Sequence, residues 1–426
     1  MVIDLKTLFG VLARPLLFLI YFLSGFFPRN RHKLVFGSWS GHRYTDNTGA
    51  LFEYLIREGN PKPSVVWISR ESKIVRQLRE RGLSAFHAWS PGGLLACLTA
   101  GIYVVDGLTK DINHWTSRGA QRVLLRHGVG IKNVERAIDS PSHHLYKLFH
   151  GNLFEKLFWR FLLPWHTIQP DFIIATSPEH ARQAEVYYGV DSSRIEVTGF
   201  PRNDQLYTNM ADDIDAHVLH WLDESRQAGL PVFLFLPTFR DNQPRLPFSW
   251  IELNEIAQRV GVRILFKLHY VDDRRGVAKG LPRQSHICLA DASIAPASLF
   301  HKVDALISDY SSVIYDFMLT RKPIVFFVPD YEQYSLSRSF FYDYETVTPG
   351  PKVTDMPGLE AALRNVTEHG HSKWAAEYER VLDKFHTFKD AGSCERTYAE
   401  ILRRCIDRAE PSAHVEKAVL PQVRRD

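Results

Sequence analysis

From position 33 onward, short apolar runs alternate with amphipathic stretches. The runs at 33–37 (KLVFG), 64–69 (SVVWIS), 102–106 (IYVVD), 122–126 (RVLLR) and 171–175 (DFIIA) predict buried strands. The segments 50–57 (ALFEYLIR) and 74–81 (IVRQLRER) predict helices between the first of them. Strands and helices in this alternation indicate βαβ units and a parallel sheet. The pattern pauses over 209–229, a polar, helical bridging stretch, and then restarts with strands at 232–236 (VFLFL), 263–267 (RILFK), 305–307 (ALI) and 324–328 (IVFFV). The expected fold is therefore α/β, with two Rossmann-like lobes at 33–205 and 206–390 flanking a cleft. A hydrophobic and basic segment at 1–32 precedes them, and a C-terminal helix with a basic tail at 391–426 follows. Ligands of such folds sit at the carboxyl ends of the strands.

The leading segment breaks the pattern. Residues 16–27 (LLFLIYFLSGFF) form a dense apolar-aromatic run, preceded by Arg14 and Pro15 and followed by Arg29, Arg31, His32 and Lys33. The run is shorter than the roughly 20 residues a spanning helix requires. No small-residue cleavage site follows it. Basic residues after the run suit a short helix lying in the plane of the cytoplasmic face of the membrane, a peripheral attachment; the competing reading is a buried first helix. A second stretch, 143–165, is aromatic and leucine-rich with Lys147, Lys156 and Arg160 interspersed, and reads either as buried helix or as a second membrane contact.

Composition narrows the function. A chain of 426 residues with 45% hydrophobic and 23% charged residues is globular and holds about two to three domains. A net charge of +4 is small for this length and gives no reason to expect nucleic-acid binding. Cys97, Cys288, Cys394 and Cys405 form no CxxC pair, so neither zinc nor a disulfide framework is indicated. Neither G-x-G-x-x-G nor a Walker GK[ST] loop is present, which weighs against NAD and P-loop enzymes. Asp213 and Asp215 read as acidic residues opening a helix rather than as a metal-binding DxD. His143, His144, His150 and His166 lack zinc-ligand spacing. No metal or cofactor is expected.

Polar residues cluster where strands end. His127 and Gly128 follow RVLLR, Thr238 and Arg240 follow VFLFL, Lys267 and His269 close RILFK, and Ser311 and Ser312 follow DALISDY. Ser311 and Ser312 open a helix, where orphan N–H groups and the helix dipole favour a phosphate; an ordinary N-cap is the plainer reading. With Arg240, Lys267, His269 and Arg202 they describe a seat for a diphosphate. His127, on a tight glycine turn in the other lobe, suits proton removal from an attacking hydroxyl.

Several blocks resemble the CDP-glycerol glycerophosphotransferases, which build teichoic-acid-type poly(glycerol phosphate): RHGVGIK (126–132), TSPEH (176–180), GFPRND (199–204), LPTFRD (236–241), FKLH (266–269), SDYSSVIYDF (308–317), RKPIVFFVPDYEQY (321–334) and FFYDYETVTPGP (340–351). The resemblance implies a glycosyltransferase-B-type fold with the acceptor on the first lobe and CDP-glycerol on the second. It places His127 as base and His269, Arg240, Ser311 and Ser312 at the diphosphate. The candidate catalytic residues are thus His127 and His269, and Thr238, Lys267 and Asp309 join Arg240, Ser311 and Ser312 as candidate donor-binding residues. Gly128, Lys132, Arg202, Asp204 and Asp316 are further candidates within the matching blocks. The implied reaction is attack of a hydroxyl of a lipid-linked or polymeric glycan acceptor on the phosphate nearest glycerol, releasing CMP. Val129 and Gly130 replace the Thr-Pro pair usual in the family's first block, TFR replaces TWR, and Tyr270 replaces Pro; these changes bear on the acceptor and the polyol. CDP-ribitol or another CDP-polyol is the nearest rival donor. A glycosyltransferase, a nucleotide-sugar 2-epimerase of the same fold and a non-enzymatic scaffold of polysaccharide export are the alternatives.

Overall fold

The computed structural model describes residues 12–59, 63–208, 214–238, 240, 248–268 and 286–407. Two wholly parallel sheets organise it. The first contains β1 (Asn30–Gly37), β2 (Ser64–Ser69), β3 (Ala85–His87), β4 (Ala100–Val105), β5 (Gln121–Leu124), β6 (Phe172–Ala175) and β7 (Ile195–Val197), in the order β3-β2-β1-β4-β5-β6-β7. The second contains β8 (Val232–Leu236), β9 (Arg263–Lys267), β10 (Ile287–Ala290), β11 (Ala305–Ser308), β12 (Ile324–Phe327) and β13 (Lys352–Val353), in the order β10-β9-β8-β11-β12-β13.

Strands buried on both faces need apolar side chains at every position rather than at alternate ones. β4 and β8 are buried throughout, as AGIYVV and VFLFL require. Strand order reverses between β1 and β4 in one sheet and between β8 and β11 in the other. Each reversal opens a crevice at the strand ends.

The expected strands are all present, with ends shifted by a few residues. β3, β7, β10 and β13 are additional; they are short edge or near-edge strands with little apolar signal of their own. The helix expected over 50–57 runs from Asp46 to Arg57. That extension moves an aspartate into the site described below.

The chain does not stay in the second lobe once it has reached it. After helix Ala375–Phe385, the Thr387 N–H donates to the Thr176 carbonyl (2.8 Å), and helix Ser393–Ile401 packs on the first lobe. The basic tail at 408–426 lies outside the described residues.

Helix Arg14–Ser24 lies against the first lobe. Phe18 stacks on Phe161 and meets Trp115 edge-on, and Tyr21 stacks on His114. Its other side leaves Leu16, Leu19, Phe22 and Leu23 exposed. The reading of a buried first helix is therefore corrected: only one face is covered. Among the described residues no helix is long and apolar enough to cross a membrane. The expected anchor's residues 1–11 lie outside the described part.

Candidate functional site

The first-lobe site is assembled from the ends of β1, β4 and β5. His127, just past β5, keeps 43% of its side chain exposed while its Nδ1 meets Asp46 Oδ2 at 2.8 Å. Trp39 Nε1 donates to the same oxygen (3.2 Å), and the Trp39 ring lies 5.1 Å from the imidazole. Behind them Asp106 is fully buried and accepts from Ser38 Oγ (2.7 Å), Thr48 N (3.0 Å) and Thr48 Oγ1 (2.5 Å). Of the described non-glycine residues with positive φ, Trp39, Ser40, Asp46 and Arg126 all belong to this site. Such conformations cost on the order of 1–3 kcal/mol each and persist where the surroundings impose them. Gly107 makes the site fit: a Cβ there would come within 2.8 Å of His127 Nε2.

Electrostatics divide the three titratable groups. Burial would raise the Asp46 carboxyl, but the Arg202 charge and the His127 hydrogen bond hold it well below the usual range. Burial, reinforced by the charge on Asp46, pushes Asp106 well up. Loss of water around the His127 ring lowers its pKa, yet the hydrogen bond to Asp46 and the charges of Asp46, Asp106 and Asp111 outweigh this and push it up to about 9. Ligand atoms of Asp46, Asp106 and His127 lie within 4.8 Å of one another, close enough for a metal ion. The carboxylate oxygens of Asp46 and Asp106 already accept hydrogen bonds from Arg202, Trp39, Ser38 and Thr48.

Arg202 joins this site to the other lobe. Its guanidinium donates to Asp46 Oδ1 and, at 2.5 Å, to Asp316 Oδ2, while Asn203 Nδ2 reaches Asp316 Oδ1 at 3.0 Å. The Arg202 N–H donates to Asn47 Oδ1 (3.1 Å), and Asn47 Nδ2 donates to the Arg126 carbonyl (2.8 Å). Asp316 belongs to the helix Val313–Met318, which Ser311 and Ser312 open. Gly128, at φ 155°, passes so close that a Cβ would come within 2.8 Å of Ser312 Oγ. The Ser311–Ser312 turn of the second lobe is therefore packed against the residue next to His127.

The second-lobe site lies at the ends of β8, β11 and β12. Asp309 is buried and accepts from Thr238 N (3.0 Å) and Thr238 Oγ1 (2.5 Å), tying β11 to β8. Arg240 meets Asp309 at 2.9 Å and grips Asp330 with Nε (2.7 Å) and Nη2 (3.0 Å). Its guanidinium also lies 5.0 Å from the Tyr310 ring centre and 4.9 Å from that of Tyr334. Ser311 and Ser312 are half-buried, and Ser311 Oγ accepts from Val313 N at 3.3 Å. Lys267 is buried and reaches the Ala292 carbonyl (3.2 Å), to which Arg43 of the first lobe also donates (3.0 Å). Lys132 lies at the seam between lobes, 5.3 Å from the Tyr334 ring centre.

The structure thus brings His127, Gly128, Arg202, Asp316, Ser311 and Ser312 together. Thr238, Arg240 and Asp309 form a second group, and Lys267 stands at a neighbouring strand end. Asp204 is placed elsewhere: its carboxylate accepts from Ser393 N (2.9 Å) and Cys394 N (2.7 Å), capping the helix Ser393–Ile401. His269 lies outside the described residues.

With this geometry in view, likeness to known proteins is informative. Residues 19–403 match the model of the family described as CDP-glycerol:poly(glycerophosphate) glycerophosphotransferase. The chain belongs to that family. It is 24% identical over 397 residues to the teichoic acid poly(glycerol phosphate) polymerase of Bacillus subtilis (strain 168), covering 90% of this chain and 50% of that protein. It is 32% identical over 228 residues to the teichoic acid ribitol-phosphate polymerase TarK of Staphylococcus aureus (strain NCTC 8325 / PS 47), covering 51% of this chain and 42% of that one. The chain thus spans about half the length of these relatives. The solved structure of the wall teichoic acid polymerase TagF superposes with a TM-score of 0.65 at 22% identity, covering 88% of this chain and 90% of that one, which establishes a shared fold.

For a member of the glycerophosphotransferase family, the site has three residues that inspection of sequence did not single out. Asp46 holds the imidazole, Asp106 backs it, and Asp330 neutralises Arg240. Asp106 ends a strand that was recognised, so the strand-end rule that found His127 also pointed to it. Asp330 likewise follows β12 closely. Asp46 had no such signal.

Proposed function

We propose that this chain transfers a polyol phosphate from a CDP-polyol, glycerol being the first candidate and ribitol the second, to a hydroxyl of a lipid-linked or polymeric glycan acceptor. The acceptor oxygen bonds to the phosphorus that carries the polyol, the bond from that phosphorus to the oxygen of CMP breaks, and CMP leaves. The hydroxyl proton passes to His127 Nε2, since Nδ1 is held by Asp46. An imidazole with a pKa of about 9 is mostly charged at neutral pH, but the neutral fraction accepts a proton with a stronger driving force. Ser311, Ser312 and the helix start receive the diphosphate, with Lys267 at a nearby strand end contributing charge; His269, outside the described residues, is a further candidate for it. Arg240 contributes charge once a ligand competes for its carboxylates.

One observation carries this reading: Gly128, the residue next to the exposed imidazole of His127, packs against Ser312 at the hydroxyl-bearing helix start of the opposite lobe. A scaffold role gives no use for such a base, and an epimerase of the same fold would release no CMP. We further propose that the exposed faces of helices Arg14–Ser24 and Leu153–Leu162 attach the protein peripherally to the membrane. Leu16, Leu19, Phe154 and Phe158 are each more than half exposed there.

Incubation with labelled CDP-glycerol or CDP-ribitol, membranes and candidate acceptors should release CMP and label the acceptor with one of the two. Absence of CMP release with every CDP-polyol would exclude the reaction. Preferential turnover of CDP-ribitol would reassign the polyol.

A further inference from the structure

Between helices Arg14–Ser24 and Leu153–Leu162 lies a cavity of about 390 Å³, within the size range of small-molecule sites. Phe18, Tyr21, Phe161, Pro164 and Ile168 supply an apolar lining, and Arg160 stands with them. Arg160 is exposed and takes part in no ion pair among the described residues. Further cations stand near the lining. Arg118 lies over the Phe22 ring at 4.7 Å, and Arg14 donates to the Phe161 carbonyl at 2.9 Å. Arg122 is close by, though paired with Asp171. His114, also in the lining, has a buried Nε2 without a partner. Burial and then the charges of Arg122 and Arg14 push its pKa down to about 3, so it stays neutral.

An apolar cavity with a cationic rim, between two helices whose outer faces are apolar, matches an amphiphile with a phosphate. We propose that this cavity binds one anionic phospholipid of the bilayer, with an acyl chain among the aromatic walls and the phosphate on Arg160. The site rests on the membrane attachment proposed above and adds to it a stoichiometric lipid site. The occupant is assigned to the bilayer rather than to the acceptor because no lining residue belongs to the His127 site.

The test uses the full-length protein and dihexanoyl phosphatidylglycerol below its critical micelle concentration, so that no membrane surface is present. Calorimetry should show saturable binding of one lipid per chain, abolished by Ile168→Trp, which fills the cavity. Arg160→Glu, a change on an exposed residue that leaves the fold intact, should weaken binding about tenfold or more through loss of the charge-assisted contact. Unaltered binding by either folded variant, or no saturable binding by the natural protein, overturns the proposal. Tighter binding of farnesyl phosphate than of phosphatidylglycerol overturns the assignment to a bilayer lipid. Flotation with phosphatidylglycerol vesicles is measured separately. A protein that floats but fails to bind the monomeric lipid refutes the cavity site alone, and one that does not float refutes the membrane attachment.

Discussion

Two arginines in this molecule are each held between two aspartates, and the difference between them is instructive. Arg240 is clasped by Asp309 and Asp330, both in the second lobe, and sits against two tyrosine rings. Arg202 is clasped by Asp46 from one lobe and Asp316 from the other. The same chemistry therefore fastens one loop within a lobe and, at the other position, ties the lobes together. The partner of Arg202 is also the partner of His127, so the joint and the proposed base share a carboxylate. Sequence offered both arginines as phosphate-binding candidates. Neither is a vacant cation in this structure; each already has its counter-charges.

Substitutions can break this comparison at several levels. The largest effect on turnover is expected from His127→Ala, about 10²- to 10⁴-fold lower CMP release with donor binding retained; an unchanged rate removes the base from the proposal. Arg202→Met leaves buried Asp316 without its counter-charge and Asp46 with His127 alone, and should cost roughly 3–5 kcal/mol in urea unfolding. Arg240→Met is expected to cost less, about 1.5–3 kcal/mol, and to weaken donor binding more than the maximal rate. Equal stability losses would show that spanning two lobes confers nothing extra.

Asp46→Asn tests the shared carboxylate through pH. With His127 pushed up to about 9, activity dependent on its neutral form should rise with pH until about that point. Removing the Asp46 charge should move this limb downward, towards the ordinary imidazole value of 6.5. The linkage to stability has the corresponding sign. Because the folded pKa is raised, the protonated ring's contribution is complete below about 6.5 and is lost as pH rises through about 9. Asp46→Asn should flatten stability over that window.

Smaller effects come from positions that only set geometry. Gly107→Ala would press a methyl group on His127 Nε2 and should lower kcat about tenfold or more while leaving the melting temperature nearly unchanged. Asp204→Ala removes the cap of helix Ser393–Ile401 and should cost about 1 kcal/mol in stability with little change in turnover.

Sequence showed the two parallel sheets because strands buried on both faces must be continuous apolar runs, as VFLFL and SVVWIS are. It showed His127, Arg240 and Ser311–Ser312 because each directly follows such a run. Edge strands such as β13, two residues long, left no comparable trace. Asp46 escaped because it sits at the start of a helix whose apolar pattern begins only later, at positive φ that nothing in YTDNTG announces. Asp204 shows the reverse. A matching block made it a site candidate, but its partner is a helix start nearly 190 residues later, and no local pattern reports so distant a cap.

That distant cap has a mechanical consequence. The chain passes from first lobe to second after the turn Pro201–Tyr207 and comes back before helix Ser393–Ile401. Asp204 fastens the outgoing and returning segments to each other. A single covalent tether would let one lobe swivel freely on the other; two tethers stapled side by side leave a hinge, whose principal freedom is opening and closing.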